Sequence, residues 1–104
     1  MAYILTAYST AKAGLIGRTR SLAREPGTHG ICVNTVVPGA IQVAAEDSLP
    51  AHHRARPEEQ IACQCVPRRG QPEDVAAAIA FLAGPSASFI TGQSLHIDGG
   101  WQLH

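Results

Sequence analysis

Three observations predict a parallel α/β fold for this 104-residue chain. Helical and extended segments alternate along it in the order helix, strand, helix, strand. The run Ile31-Cys32-Val33-Asn34-Thr35-Val36-Val37 is β-branched and mostly apolar on both faces, as strands of buried parallel sheets are. The pairs Pro26-Gly27, Pro38-Gly39 and Gly84-Pro85 punctuate the segments where each should stop.

Residues 1–7 read as a short mixed lead-in. From Ser9 to Glu25 the spacing is helical, with Ala11, Leu15, Ile16, Leu22 and Ala23 forming one apolar stripe. Gly14 and Gly17 weaken that helix, and Pro26-Gly27 ends it. The strand 31–37 follows and should have a neighbour on each side. This chain supplies one, which leaves an edge prone to association. Residues 40–70 are polar and irregular, with Pro50, Pro57 and Pro67 among them. They are a candidate substrate loop, or else a plain surface excursion with one short helix near Pro57 to Cys65. Pro72, Glu73 and Asp74 suit the first turn of a second helix over 73–83, whose apolar face is Val75, Ala76, Ile79, Ala80, Leu82 and Ala83. Residues 94–97 read as a last short strand.

Composition narrows the function classes. Eight basic and eight acidic residues cancel, so nothing draws the chain to nucleic acid or an anionic membrane. No apolar run approaches the roughly 20 residues of a membrane span, and the start has no signal-peptide pattern. Three cysteines, with Cys63 and Cys65 too close for an ordinary bridge, point to reduced thiols and a cytoplasmic setting. Cys63 and Cys65 with His52 and His53 are residue types that bind zinc. Their spacing is not that of a zinc knuckle and no second cysteine pair exists, so no metal is expected. His52, His53 and Arg54 suit a solvated loop better than a substrate contact.

Tyr8-Ser9-Thr10-Ala11-Lys12 holds the candidate chemistry. Tyr8 and Lys12 are four apart and on a helix lie one above the other on one face. An ammonium beside a phenol favours the phenolate and so fits general acid/base work. Alone, the pair also reads as a half-buried tyrosine with a snorkelling lysine.

Four patterns in order settle that choice: Tyr8-Ser9-Thr10-Ala11-Lys12, Asn34-Thr35-Val36-Val37-Pro38-Gly39, Gln71-Pro72-Glu73-Asp74-Val75-Ala76, and Ile90-Thr91-Gly92-Gln93 through Asp98-Gly99-Gly100. Together, and over nearly the whole chain from Ala7 onward, they resemble the C-terminal part of a classical short-chain dehydrogenase/reductase. The resemblance implies the C-terminal part of a doubly wound (Rossmann-like) parallel sheet, with residues 1–104 as a single partial domain. It implies an NAD(P)-dependent oxidoreductase interconverting an alcohol and a ketone or aldehyde. Tyr8 would exchange a proton with the substrate oxygen. Lys12 would ease proton loss from Tyr8 and bond the nicotinamide ribose. Pro38, Gly39, Ala40 and Ile41 would line the nicotinamide, Gly39 admitting a ligand close to the main chain. Many members carry a Thr where Val43 stands, so cofactor contact there is weaker.

The family also begins with a Gly-rich strand-to-helix turn for the cofactor pyrophosphate, and it places a Ser well before the Tyr to hold the substrate oxygen. Neither occurs in these 104 residues, and Thr6 is too close to Tyr8 to replace that Ser. The residue that selects NAD or NADP belongs to the same earlier region, so the choice stays open, as does the substrate. The leading expectation is thus a family oxidoreductase represented by a fragment, a homo-oligomer in its full-length form. The alternative is a non-catalytic remnant that pairs with related subunits; a free-standing domain with some unrelated binding role is a third reading.

Overall fold

The structure is a computed structural model that describes residues 2–44, 48, 50 and 56–103, with the backbone alone for 2–5. Its elements are helix α1 (Ala2–Arg24), strand β1 (Thr35–Pro38), helix α2 (Pro57–Ala62), helix α3 (Pro72–Ala83) and strand β2 (Ser94–Ile97). They fall into two compact units, one of Met1–Thr35 with Phe81–Leu95 and the other of Val36–Ala80 with His96–His104.

Helix α1 begins at Ala2, inside the stretch expected to be a lead-in. Residues 2–8 contain neither Pro nor Gly, so nothing in them stops a helix that Ala and Leu favour. At its other end Arg24 suits the helix dipole, and a 3₁₀ turn over Pro26–His29 closes on Gly30, whose φ of +73° is glycine territory. The face that docks is built of small residues. Thr19 donates to the Leu15 carbonyl at 2.8 Å and is bonded to the Thr35 hydroxyl. Ala23 Cβ lies 3.5 Å from where a Cβ on Gly92 would stand. Of the expected apolar stripe, Ala23 is buried and Ile16 half-buried, while Leu15 and Leu22 stay exposed.

The two strands form a parallel pair. Gly92 N–H donates to Val33 O at 2.7 Å, Thr35 N–H to Gln93 O at 2.8 Å and Gly39 N–H to Ile97 O at 2.9 Å, so the numbers rise together on both strands. Strand β2 covers residues 94–97 as expected, but β1 begins at Thr35 rather than Ile31. Side chains replace the ladder before that point. Asn34 Nδ2 donates to Ile90 O and Asn34 Oδ1 accepts from Gln93 N–H, each at 3.0 Å, while Thr91 Oγ1 accepts from Val33 N–H at 3.0 Å. The strand is half-buried, not buried on both faces, and Ile31 is exposed.

Helix α3 runs as the sequence predicts. Asp74, in its first turn, accepts the Gln71 N–H at 2.7 Å and returns its own N–H to Gln71 O at 2.9 Å, a reciprocal cap. Helix α2 occupies part of the 40–70 loop and realises the short helix of the surface-excursion reading. Among the described residues the only buried apolar side chains are Ala23 and Ala87. Ile79 and Phe81 are half exposed and Phe89 fully so, an unusual amount of uncovered apolar surface for so short a chain.

Candidate functional site

In the first unit, α1 carries Tyr8 and Lys12 without a break between them. At roughly 100° per residue, Tyr8, Lys12, Ile16, Thr19 and Ala23 fall within an arc of about 80°. The face that docks at the helix's C-terminal half is therefore the face that presents Tyr8 and Lys12 at its N-terminal half. Tyr8 nevertheless remains 61% exposed, open to a ligand. The Lys12 ammonium stands over the Tyr8 ring, 5.4 Å from its centroid, a cation–π distance. A spacing of four sets the ammonium beside the tyrosine as expected, and it addresses the ring face. It still brings a positive charge to the phenol.

In the second unit, Pro38, Gly39, Ala40 and Ile41 leave the carboxyl end of β1, the end where open α/β sheets receive ligands. Two recesses flank this segment. One, of about 270 Å³, is lined by Pro38, Gly39, Ala40, His96, Asp98 and Trp101 among others. The other, of about 300 Å³, is lined by Ala40, Ile41, Gln64, Arg68, Asp74 and Asp98 among others. Gly39 is a glycine for a reason the sequence did not show. A Cβ there would lie 2.7 Å from Asp98 Cβ and 2.8 Å from Asp98 Cα, so β2's exit makes a close approach at this residue. Farther on, Gln42 N–H donates to Gly70 O at 2.8 Å, and a Cβ on Gly70 would lie 2.7 Å from Ile41 Cδ1. Val43 is exposed.

Asp98, which sequence reasoning quoted only as part of a pattern, is the hub here. Its carboxylate accepts Gly100 N–H at 3.0 Å and Gln102 N–H at 3.1 Å. Desolvation pushes its pKa up, but the Gln102 and Gly100 N–H bonds and the nearby His96 outweigh that and hold it below the usual carboxylate range. Gly99 O in turn accepts the N–H groups of Cys65 at 2.8 Å and Val66 at 2.9 Å. Gln64 Nε2 donates to Val66 O at 2.8 Å and to Arg68 O at 2.5 Å. Arg68 grips Asp74 with two bonds of 2.8 Å, and that guanidinium, aided by the Gln71 N–H, holds the Asp74 pKa down to about 2. The signal for this network was the pair of motifs around Asp74 and Asp98.

His52, His53 and Arg54 lie outside the described residues. Among the described residues no group of three or more His, Cys, Asp or Glu side chains gathers as a metal site, and no helix is long and apolar enough to cross a membrane.

A sequence family described as Enoyl-(Acyl carrier protein) reductase matches residues 2–102. The chain is 44% identical over 96 residues to the 3-oxoacyl-(acyl-carrier-protein) reductase FabG of Vibrio cholerae, which covers 92% of this chain and 38% of that protein. Among solved structures it is similar to a blue fluorescent protein from a metagenomic library in complex with NADPH, at TM-score 0.80 and 42% identity, covering 94% of this chain and 38% of the other. It is also similar to 4-hydroxyisoleucine dehydrogenase complexed with NADH and succinate, at TM-score 0.76 and 33% identity, covering 93% and 38%. The chain thus spans well under half the length of the proteins it matches.

Proposed function

The chain belongs to the short-chain dehydrogenase/reductase family, and on that footing we propose that it forms the proton-transfer side of an NAD(P)-dependent oxidoreductase. The reaction interconverts an alcohol and a carbonyl, and the bound nicotinamide supplies or accepts the hydride. Tyr8 gives its phenolic proton to the substrate oxygen during reduction and recovers it during oxidation. Lys12, whose ammonium already stands over the Tyr8 ring, offers positive charge as the proton leaves and N–H donors for ribose hydroxyls. The main chain of Pro38, Gly39, Ala40 and Ile41 lines the nicotinamide, with Val43 as an apolar neighbour. The described residues fit such a group: an exposed phenol and ammonium share one helix face, and an open recess adjoins the strand's carboxyl end.

A 3-oxoacyl thioester on a carrier protein is the substrate class best supported, by the name of the Vibrio cholerae relative. The NADPH-bound neighbour at 42% identity and the NADH-bound one at 33% support a nicotinamide cofactor, and the choice between the two belongs to the family's earlier region. Free thiols at Cys32, Cys63 and Cys65 suit a cytoplasmic setting, and the half-exposed Ile79 and Phe81 of α3 suit a homo-oligomer. The names of the relatives favour this reading over a non-catalytic interaction module.

The single observation that carries the proposal is the unbroken helix holding Tyr8 and Lys12 on one face, with ammonium and ring 5.4 Å apart. The test is to splice residues 2–102 in place of the matching segment of the Vibrio cholerae relative and assay 3-oxoacyl thioester reduction. The spliced enzyme is expected to turn over with NADPH and, in the Tyr8→Phe form, to lose about 10²–10⁴-fold of its rate while still binding NADPH. Full activity in Tyr8→Phe would refute the assignment.

A further inference from the structure

The contact between Gly39 and Asp98 does more than fill space. Residues 98–102 turn through two glycines at positive φ, Gly99 at +64° and Gly100 at +87°. Such a turn has more freedom to lose than any other pair would give it. What closes it is the Asp98 carboxylate, which accepts Gly100 N–H and Gln102 N–H at 3.0 and 3.1 Å, supported by the Trp101 N–H to Asp98 O bond at 3.2 Å. Charged acceptors make the stronger class of hydrogen bond. The same residue abuts Gly39 with its Cα and Cβ, at distances that leave no room for a side chain between them. A shift at residue 98 is therefore passed to residue 39 backbone to backbone, with no flexible side chain to absorb it. Gly39 is tied to the same strand end by its N–H to Ile97 O bond, and the segment's far end is pinned at Gly70 through Gln42.

We propose that Asp98 is a positioning residue, whose carboxylate closes the 98–102 turn and thereby fixes the main chain of Pro38–Gln42 against which the nicotinamide end of the cofactor rests. The role of Asp98 rests on the cofactor reading of Pro38–Ile41 given above. Asp98 lines both recesses, but its carboxylate is engaged by the Gly100 and Gln102 N–H groups, and the role assigned to it acts through the main chain. Its effect is conformational: a loosened turn lets Gly39 and Ala40 sample backbone states that no longer match the ligand.

Two readouts separate this role from the cofactor reading. The first is amide hydrogen exchange on the 104-residue chain, comparing wild type with Asp98→Asn and Asp98→Ala. Asn keeps one acceptor oxygen and Ala keeps none. Exchange at Gly39 should rise in the order wild type, Asn, Ala, reaching about tenfold for Ala, the scale of one charged hydrogen bond. Gly92 and Thr35, bonded in the other unit, serve as controls and should not change. If Asp98→Ala exchanges fast everywhere, it has unfolded, and wild type against Asp98→Asn decides. Gly39 unaffected while Gly100 and Gln102 lose protection would overturn the role, as would an unprotected Gly39 in the wild type. The second readout is the spliced enzyme, where Asp98→Asn should raise KM for NADPH several-fold with kcat at saturation within about twofold. A fall in kcat alone marks a merely structural residue and also overturns the role. Loosened exchange at Gly39 with KM and kcat both unmoved overturns the placement of the cofactor on Pro38–Ile41 instead.

Discussion

Tyr8 and Lys12 are held by almost nothing but their helix, whereas residues 64–74 and 98–102 are held by a dense set of bonds between distant parts of the sequence. The first region offers one ring contact and an exposed face. The second contains the Asp98 turn, the Gly99 carbonyl shared by Cys65 and Val66, and the two-bond Arg68–Asp74 clamp. The difference teaches a division of labour. The groups proposed to meet a ligand stay open and depend on helix geometry alone, while the polar network of the second unit fixes backbone.

Tyr8→Phe in the spliced enzyme should remove about 10²–10⁴-fold of the rate yet leave the melting temperature nearly unchanged, because an exposed side chain away from caps and cores shifts stability by only about 0.5 kcal/mol or less. A large fall in melting temperature for Tyr8→Phe would place that residue with the structural region.

Next comes the 104-residue chain by itself, which should give no turnover with NADH or NADPH on ketones, acyl thioesters or sugars. Hydride transfer needs the nicotinamide about 3–3.5 Å from the reacting carbon, and no Gly-rich strand-to-helix turn for a pyrophosphate occurs in these residues. With Phe89 fully exposed and Ile79 and Phe81 half so, the chain should also associate, which sedimentation at several concentrations would reveal. Steady turnover that vanishes in Tyr8→Phe would show that the open region needs less support than the comparison implies.

Gly39→Ala tests the dense region. The new Cβ would meet the Cα and Cβ of Asp98 below 3 Å, and main chain cannot swing aside as a side chain can. A loss of about 1–3 kcal/mol is expected, the usual scale of overpacking, read as a lower denaturation midpoint. A neutral result would mean that β1 and the Asp98 turn separate freely.

The same division explains what was legible beforehand. Strand β2 and helix α3 fall where their local patterns place them, because Pro72, the acids after it and Gly84-Pro85 act within a few residues. The Tyr8–Lys12 face follows from a spacing of four. What was not legible is made by long-range partners. Asn34 and Thr91 shorten β1 from its N-terminal side although they are 57 positions apart, and no periodicity announces that. The start of α1 was misplaced because residues 2–8 are apolar without a helical stripe. The contact of Gly39 with Asp98, 59 positions away, is likewise announced by no local pattern.

The smallest expected effect is an acid one, and it sharpens the comparison from the side of charge. The Arg68 guanidinium, with the Gln71 N–H, lowers the Asp74 pKa from an ordinary 3.8 to about 2. A carboxylate depressed by folding contributes stability that is fully present above its unfolded value and is lost as pH falls through its folded one. The clamp should therefore be intact above about pH 4 and fade toward pH 2. Because the Arg68 side chain is more than half exposed, water and salt weaken the pair, and the contribution is modest. Denaturation midpoints measured from pH 6 to pH 2 should fall less steeply in Asp74→Asn than in wild type. Some acid sensitivity should survive in that variant, since the Asp98 carboxylate is also held below its usual range. Identical acid slopes in wild type and Asp74→Asn would remove the Arg68–Asp74 clamp from the forces that hold the dense region together.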